Sequence, residues 1–453
     1  MRIIVVGAGE VGSYIADLLS REGVDVTVVE RDAKRAAALA ERVDVEVITG
    51  SGTHPATLAL AGVDSADLLV AVTKSDEVNL VASLLAKEAD VPRTVVRLEA
   101  DELRGHDAAG LRRTAQADLF IDPDEETAQE VLALMELPGA SEVAKLGNGE
   151  VLAIGARVLE GAPIVGKSLI EIGVENEPEW DFIVSSIQRG EKTIIPRGDY
   201  TIEANDLVRI VCKRNARRKV AKLMGLERDV PREILLLGGG RTGELVAQKL
   251  RHTGARVQVI ERDEERARVL AEHLDGVRVL HGDITDSDVL DEADLPRVEL
   301  VAALTGEDDA NVLASVYAKT AGVPETIAVV HRLNYLSLLD QVGVDAALSP
   351  RTATANGVLR FVRGGLAQVA TFLHGEVELL EFELHGGSNA EGKLISELNL
   401  PREVLIAATV RDGRAEIARG RTTLRKGDHV IVITEPQSID IVQEILDLSL
   451  IHI

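Results

Sequence analysis

The sequence predicts an α/β protein with two Rossmann-like, doubly wound parallel sheets, each followed by a small α+β module. Three observations predict this class. The glycine motif GAGEVG at residues 7–12 returns as GGGRTG at 238–243, after a strand-like apolar run in both cases. Short runs rich in Val, Ile and Leu alternate with Ala/Leu-rich stretches of helical spacing, which is typical of βαβ units. Brief β-rich runs with turn signals then follow each of these regions.

An internal repeat sets the expected domain boundaries. VTVVERDAKRAAALAE (26–41) corresponds to VQVIERDEERARVLAE (257–272), and IPRGDYTIEANDLVRIV (195–211) corresponds to IARGRTTLRKGDHVIVI (417–433). We therefore expect Rossmann domains at 1–137 and 232–362 and small modules at 138–226 and 367–453. Residues 225–233 read as the linker between the halves.

Composition excludes several classes of function. The 453 residues carry a formal net charge of −25, which argues against nucleic acid because phosphate binding needs a concentrated positive surface. No uninterrupted run of about 18 apolar residues is present, so we expect a cytoplasmic protein that does not itself cross a membrane. The single cysteine, Cys212, lies in an apolar run and is expected to be a buried core residue.

The first glycine motif predicts a dinucleotide site. Gly7 permits a tight turn, Gly9 lets the backbone approach a pyrophosphate, and Gly12 lets the helix pack close to the strand. The start of that helix offers N–H groups and a partial positive charge to phosphates. Glu30 ends the next strand, where a carboxylate can accept the hydroxyls of an adenosine ribose.

The second motif repeats this arrangement with Gly238, Gly240, Gly243 and Glu261. The two acids would repel a 2′-phosphate, which favours NAD over NADP, although Arg31 and Arg262 follow them directly. A tight turn without any ligand remains the alternative for each loop.

Further candidates lie where other strands end, at the edge of the sheet that carries ligands in open α/β folds. Ordinary helix capping or a turn remains the alternative for several of them, and a solvated surface position for the arginines. They are Gly50, Ser51, Thr73, Asn79 and Arg97 in the first half, with Gly282, Asp283, Thr305 and Arg332 in the second.

The sequence gives little support for catalysis. His54, His106, His281 and His331 are scattered and are not preserved between the repeats, so each is expected at a surface or a turn. The sequence has no His or Cys cluster with the spacing of metal ligands, and the small modules are expected to be too small to close a substrate pocket. Binding without chemistry is therefore favoured over the main alternative, an NAD-dependent oxidoreductase with duplicated Rossmann domains. A scaffold indifferent to nucleotide is the third possibility.

The chain resembles the TrkA family of Trk-type potassium uptake regulators, which carry tandem RCK (or KTN) domains, each followed by a TrkA-C module. The stretches that carry the likeness include MRIIVVGAGEVG, TGSGTHPATLALAGVDSADLLVAVTKSDEVN, ILLLGGGRTGELVAQKL, HGDITDSDVL and GDHVIVIT, in the same order along the whole chain.

The resemblance implies a cytosolic gating ring on the inner face of a membrane-embedded, Trk/Ktr-type potassium-translocating subunit. It implies NAD(H), and in some members ATP or ADP, in the Rossmann lobes, and assembly of dimers up to a tetramer with eight lobes. The implied binding positions are Gly7, Ala8, Gly9, Glu10, Val11, Glu30, Thr73, Lys74 and Arg97, then Gly238, Gly239, Gly240, Arg241, Thr242, Glu261, Thr305 and Arg332. The family pattern is not duplicated evenly, because Lys74 corresponds to Gly306 and Arg241 follows the second loop.

Overall fold

The fold was obtained as a computed structural model. The described residues are 1–21, 23–100, 103, 116–190, 192–226, 228–362, 366–371 and 377–446. The expected surface position of His106 lies outside them.

The first half begins with a six-stranded parallel sheet of order β3-β2-β1-β4-β5-β6. Its central strands are buried on both faces, which explains their unbroken aliphatic sequence. The strands are β1 Arg2–Val6, β2 Asp25–Glu30, β3 Glu46–Thr49, β4 Leu68–Ala71, β5 Arg93–Arg97 and β6 Leu119–Ile121. The helices are α1 Glu10–Arg21, α2 Ala33–Ala40, α3 Pro55–Leu60, α4 Asp76–Glu88 and α5 Pro123–Met135.

The first small module is a five-stranded antiparallel sheet of order β10-β9-β11-β8-β7 with two short helices. Its strands are β7 Glu142–Leu146, β8 Val151–Arg157, β9 Phe182–Arg189, β10 Lys192–Ile194 and β11 Leu207–Lys213, and its helices are α6 Leu169–Glu175 and α7 Arg217–Leu223. Cys212 on β11 is fully buried, as predicted, and burial followed by the nearby Asp181 charge raises the pKa of its thiol to about 12.

The second half repeats both parts. Its parallel sheet has the order β14-β13-β12-β15-β16-β17. As in the first sheet, the strands are added on one side of the first strand, β12, and then on its other side. The strands are β12 Glu233–Leu237, β13 Arg256–Glu261, β14 Arg278–His281, β15 Leu300–Ala303, β16 Glu325–Val329 and β17 Ala346–Leu348. The helices are α8 Arg241–Leu250, α9 Glu264–His273, α10 Ser287–Glu292, α11 Asp308–Thr320, α12 Asn334–Gln341 and α13 Pro350–Val362.

The second small module has strand order β18-β19-β22-β20-β21 and is antiparallel, like the first. It consists of β18 Leu366–Thr371, β19 Glu378–Glu383, β20 Val404–Arg411, β21 Arg414–Ile417, β22 His429–Thr434 and the helix α14 Ile439–Leu446. The predicted fold class, two doubly wound parallel sheets with a small α+β module after each, is thus confirmed.

The compact units of the molecule do not follow chain order. One unit contains residues 1–126 with the described part of 351–364, and the other contains residues 127–350 with the described part of 365–453. Helix α13 of the second half therefore belongs to the first Rossmann unit, where the guanidinium of Arg93 donates to the carbonyl oxygens of Phe361 and Val362. Most of helix α5 belongs to the second unit, where Val131 and Leu134 are buried in one core with Ile234 and Leu236.

Candidate functional site

The two candidate sites lie at the carboxyl ends of the parallel strands, where the strand order reverses between β1 and β4 and between β12 and β15. Chain connections leave the sheet in opposite directions at such a point, which opens a crevice for a ligand. The glycine loops enter this edge directly from β1 and β12 and lead into α1 and α8.

The three glycines of the first loop meet three different demands. Gly7 has φ +107° and packs against Thr73, so the turn requires a residue without Cβ. A Cβ on Gly12 would lie 1.8 Å from the Gly7 carbonyl oxygen, so helix α1 can approach the loop only because Gly12 lacks one. A Cβ on Gly9 would meet nothing within 4 Å, and the space beside Gly9 is therefore free for a ligand.

The second loop has the same geometry. Gly238 has φ +109° and packs against Thr305, and a Cβ on Gly243 would lie 2.0 Å from the Gly238 carbonyl oxygen. Gly240, like Gly9, has open space at its Cβ position. Both loops thus leave room at the start of a helix, where unpaired N–H groups and the helix dipole favour an anion.

The strand-ending carboxylates bind the loops themselves. Glu30 accepts hydrogen bonds from the N–H groups of Ala8, at 2.7 Å, and Asp32, at 2.8 Å, one to each oxygen. Glu261 accepts from Gly239 and Asp263 in the same way, at 2.8 Å each. A carboxylate oxygen can accept more than one hydrogen bond, so these contacts leave acceptor capacity for ribose hydroxyls while they fix the loop.

The remaining loop residues differ in burial. Val11 and Thr242 are buried in the first turn of their helices, whereas Glu10 and Arg241 are the first helical residues and are at least partly accessible. At the adjacent strand ends, the N–H groups of Gly50 and Gly282 donate to the carbonyl oxygens of Glu30 and Glu261, which aligns the third strand with the second.

An asparagine in each half joins two neighbouring strand ends. The side-chain oxygen of Asn79 accepts from the Thr73 N–H and hydroxyl, and its amide donates to the Thr73 and Arg97 carbonyl oxygens. Asn311 makes the matching bonds to Thr305 and to the carbonyl of Val329. Both asparagines are fully buried and use both amide donors within the protein, so their geometry supports positioning of the threonines and not contact with a ligand.

The two candidate arginines are already paired with acids. The Arg97 guanidinium forms an ion pair with Glu99. Arg332 pairs with Asp308 and Asp309 and stacks over the Tyr335 ring at 4.4 Å. These acids compete with a phosphate for the two guanidinium groups.

Charge differs between the two sites. Ser51 and exposed Lys74 of the first half correspond to Asp283 and Gly306 of the second, and Ser75 corresponds to Glu307.

In the second site, Arg262 bridges these added acids, lying 2.9 Å from Glu307 and 4.0 Å from Asp283. Two hydrogen bonds from Thr285 keep the pKa of Asp283 below its usual value, since they outweigh its slight burial. Exposed Arg31 occupies the matching position in the first site, where no carboxylate stands at 51 or 75.

Sequence reasoning missed three residues near the loops. Arg351, at the start of α13, forms a 3.0 Å ion pair with Glu10 beside the first loop. Its position in the repeat is filled by Asp124 in the first copy. The carbonyl of Ala8 accepts from the Ser13 hydroxyl, whereas that of Gly239 accepts from the Arg266 guanidinium. The repeat marks Arg351 only as a change of charge from the first copy. Its ion pair with Glu10 could not be predicted, because the two residues lie more than 300 positions apart in the chain.

The candidate histidines within the described residues lie at separate helix and strand ends. His54 precedes α3 and His281 ends β14, both exposed, as expected for turn and surface positions. His331 donates its backbone N–H to Asp308, and its ring lies 3.0 Å from the same carboxylate. Within the described ranges, no group of three or more His, Cys, Asp or Glu side chains is arranged to hold a metal ion.

The fold and the paired loops define a protein with two Rossmann-type domains in tandem, each with a glycine loop at the switch point of its sheet. The TrkA-N domain family matches residues 3–123 and 234–350, and the TrkA-C domain family matches residues 154–225 and 379–447. The chain belongs to the TrkA family of Trk system potassium uptake proteins, and it is a regulatory component of such a system and not an enzyme.

Relatives from bacteria and archaea match this chain over most or all of their length. The Trk system potassium uptake protein TrkA of Halomonas elongata is 34% identical over 438 residues, which cover 95% of both chains. A TrkA homolog of Archaeoglobus fulgidus is 33% identical over 445 residues, covering 98% of this chain and all of the relative.

Solved structures agree on the fold. The GsuK RCK domain is 18% identical, with a TM-score of 0.60 over 99% of this chain and 95% of the other. The GsuK channel bound to NAD is 19% identical, with a TM-score of 0.60 over 98% of this chain and 79% of the other.

Along the described part of the chain, no helix combines the length and apolar character needed to span a bilayer.

Proposed function

We propose that this protein is the nucleotide-sensing gating subunit of a Trk/Ktr-type potassium uptake system. NAD(H), and ATP or ADP in competition with it, bind the Rossmann lobes and thereby control potassium flux through a membrane-embedded partner. In this proposal the protein acts in the cytoplasm, at the inner face of the membrane, as a homo-oligomer of up to four chains whose eight lobes form a ring.

The observation that carries the proposal is the free space beside Gly9 and Gly240 in loops that are otherwise tightly packed. The flanking glycines are fixed by a positive φ or by a close backbone contact, so the middle glycine is the position where a ligand can approach the chain. The start of helix α1 or α8 then provides N–H donors for a pyrophosphate.

Glu30 and Glu261 support an adenosine-containing ligand. Each carboxylate lies at the end of the second strand and is oriented by two backbone N–H groups, one of them from the glycine loop. A ribose that binds this carboxylate and a pyrophosphate that binds the loop would therefore be recognised by one rigid unit. A solved GsuK channel is described as bound to NAD and another GsuK structure as bound to ADP, which supports both ligands for this fold.

Control of transport requires that the nucleotide bind one conformation better than another. A shift from 1:99 to 99:1 between two states needs about 5.5 kcal/mol of differential binding. Two sites in one chain can supply this sum with a smaller difference at each, which gives the duplication a purpose. The unequal charge of the two sites supports different ligand preferences for the two lobes.

The matched variants Gly9→Asp and Gly240→Asp test the proposal. Both positions have space for a side chain, so the fold should be kept, while the new carboxylate repels the pyrophosphate. We expect each variant to weaken nucleotide binding at its own lobe by at least about tenfold, or 1.4 kcal/mol, in calorimetric titrations with NADH and ATP. Potassium uptake in cells that express the membrane partner should lose its response to nucleotide.

Thermal unfolding and circular dichroism serve as controls for an intact fold in both variants. NADH absorbance should stay constant on incubation with small carbonyl or hydroxyl compounds, because the nucleotide is bound and not consumed. Sustained oxidation of NADH would contradict the proposal in favour of an oxidoreductase. Unchanged binding in both folded variants would contradict the site assignment.

A further inference from the structure

A strongly basic segment interrupts this acidic chain. Residues 213–222, KRNARRKVAK, contain Lys213, Arg214, Arg217, Arg218, Lys219 and Lys222 and no acid, in a protein with 50 Lys and Arg against 75 Asp and Glu. The segment covers the end of β11 and most of helix α7 in the first small module. The proposed nucleotide sites do not involve it.

The segment lines an open pocket of about 650 Å³ within the second compact unit. Lys213, Arg214, Arg217 and Arg218 form one side, and Arg414 at the start of β21 adds a cation from the second small module. Glu150 is the one acid in the lining. Cations from two separate modules thus converge on the same cavity.

Most of these cations lack an acidic partner. Lys213 binds Asp181 at 3.0 Å. The other four cations of the lining are arginines. Within the described residues, their side chains form no ion pair or hydrogen bond with another side chain: Arg214, Arg217, Arg218 and Arg414. Four like charges around one cavity repel each other unless an anion is present. An anion bound in the cavity would relieve this repulsion, which water and salt otherwise screen.

The repeat shows that the fold itself does not require these charges. At the corresponding positions of the second small module, Glu435 replaces Lys213, Asp440 replaces Arg218 and Glu444 replaces Lys222. Helix α14 still forms there, with Ile439, Val442 and Leu446 buried. The basic residues of the first copy are thus a property of that copy alone.

We propose that this pocket binds a multivalent phosphate anion, either a free polyphosphate or the phosphate groups of a lipid surface. Guanidinium groups suit this ligand because each offers two parallel N–H donors to phosphate oxygens. The volume fits a small molecule with several phosphates. Since Arg414 lies on the second small module, the anion links the two modules when it binds.

The test uses the full chain and inorganic tripolyphosphate as the probe, measured by isothermal titration calorimetry at low ionic strength. We expect saturable binding that weakens as salt is added. Arg218→Ala combined with Arg414→Ala should weaken it at least tenfold, because both are accessible and neither is buried in a core. Lys222→Ala is the matched control, since it removes an exposed positive charge from the same helix outside the pocket and should leave binding unchanged.

Two further arms separate the sources of phosphate and the sites. Vesicles containing an anionic phospholipid, compared with vesicles of neutral lipid, test the lipid source with the same variants. The Gly9→Asp/Gly240→Asp chain should keep tripolyphosphate binding, which separates this pocket from the glycine loops. Three results would overturn the proposal. They are loss of tripolyphosphate binding in that chain, binding of both probes by the double arginine variant as tightly as by the parent, and binding of neither probe by the parent.

Discussion

Gly12 and Gly243 are glycines for a different reason from Gly9 and Gly240. The first pair closes the contact between helix and loop, where a Cβ would collide with a carbonyl oxygen at 1.8 or 2.0 Å. The second pair borders open space. The motif thus combines a requirement of the fold with a requirement of the ligand, and single substitutions can separate the two.

Gly12→Ala should therefore destabilise the protein by about 3 kcal/mol, since the added methyl group forces helix α1 away from the loop. Urea unfolding monitored by circular dichroism measures this change. Gly9→Ala is the matched control and should stay within about 0.5 kcal/mol of the parent, as expected for a substitution into open space. Equal stability of the two variants would show that the close contact at Gly12 does not limit packing.

At this scale the sequence predicted residue types better than contacts. The turn at Gly7 and the packing role of Gly12 follow from the local motif, and the structure has both. The bond of Glu30 to the loop N–H of Ala8 and the Arg351–Glu10 pair were not predicted. These contacts join residues that are distant in sequence, and periodicity carries no information about them.

Among the elements, the start of the helix after the fourth strand is tied to the end of the fifth. In the second half, Asp308 at the start of α11 accepts from the backbone N–H groups of His331 and Arg332, at 2.8 and 3.0 Å. Asp76 in the first half accepts from Glu99 and Ala100. Each carboxylate fixes the edge of the sheet on which the candidate ligand residues lie.

This link predicts a pH dependence of stability. Burial raises the pKa of Asp308, but hydrogen bonds from the His331 and Arg332 backbone and the His331 ring outweigh it, so the pKa lies below its usual 3.8. A lowered folded-state pKa stabilises the protein above pH 3.8, and this contribution is lost as pH falls through the folded-state value.

Asp308→Asn should cost about 2 kcal/mol at neutral pH, and the difference from the parent should shrink on acidification below pH 3.8. Urea unfolding, repeated at pH values about one unit apart between about pH 3 and pH 7, measures both effects. Asp309→Asn is the control, because Asp309 is exposed and its pairs contribute little. A difference that is constant with pH would contradict the role of the Asp308 charge.

The elements themselves were largely predictable. The central parallel strands are continuous aliphatic runs, and the repeat shows the same pattern in both halves of the sequence. The assignment of helices to cores was not predictable, because α5 and α13 have the same amphipathic pattern whichever sheet they cover. The basic residues of α7 are evident in the sequence, but the convergence of Arg414 on them is not, because it lies about 200 positions away.

On the scale of the whole molecule, each Rossmann core includes a helix encoded in the other half. The first compact unit contains the described part of 351–364, and the core of the second contains Ala128, Val131, Leu134 and Met135 of α5. Neither Rossmann unit is therefore completed by its own half of the chain.

Separate expression of residues 1–226 and 232–453 tests this organisation. We expect each fragment alone to be poorly soluble, because it exposes apolar surface that the missing helix covers, at about 25 cal/mol per Å². Coexpressed, the fragments should copurify in a 1:1 complex whose unfolding temperature approaches that of the intact chain. Two monodisperse, cooperatively folding fragments that do not associate would contradict it.

The shared helices also bear on the history of the gene. Once each copy had come to depend on a segment of the other, neither could be deleted, shuffled into another protein or replaced by an unrelated domain without loss of both. The two copies could then diverge in surface charge, as Ser51 and Asp283 and the helices α7 and α14 show, while each copy remained necessary to the fold of the other.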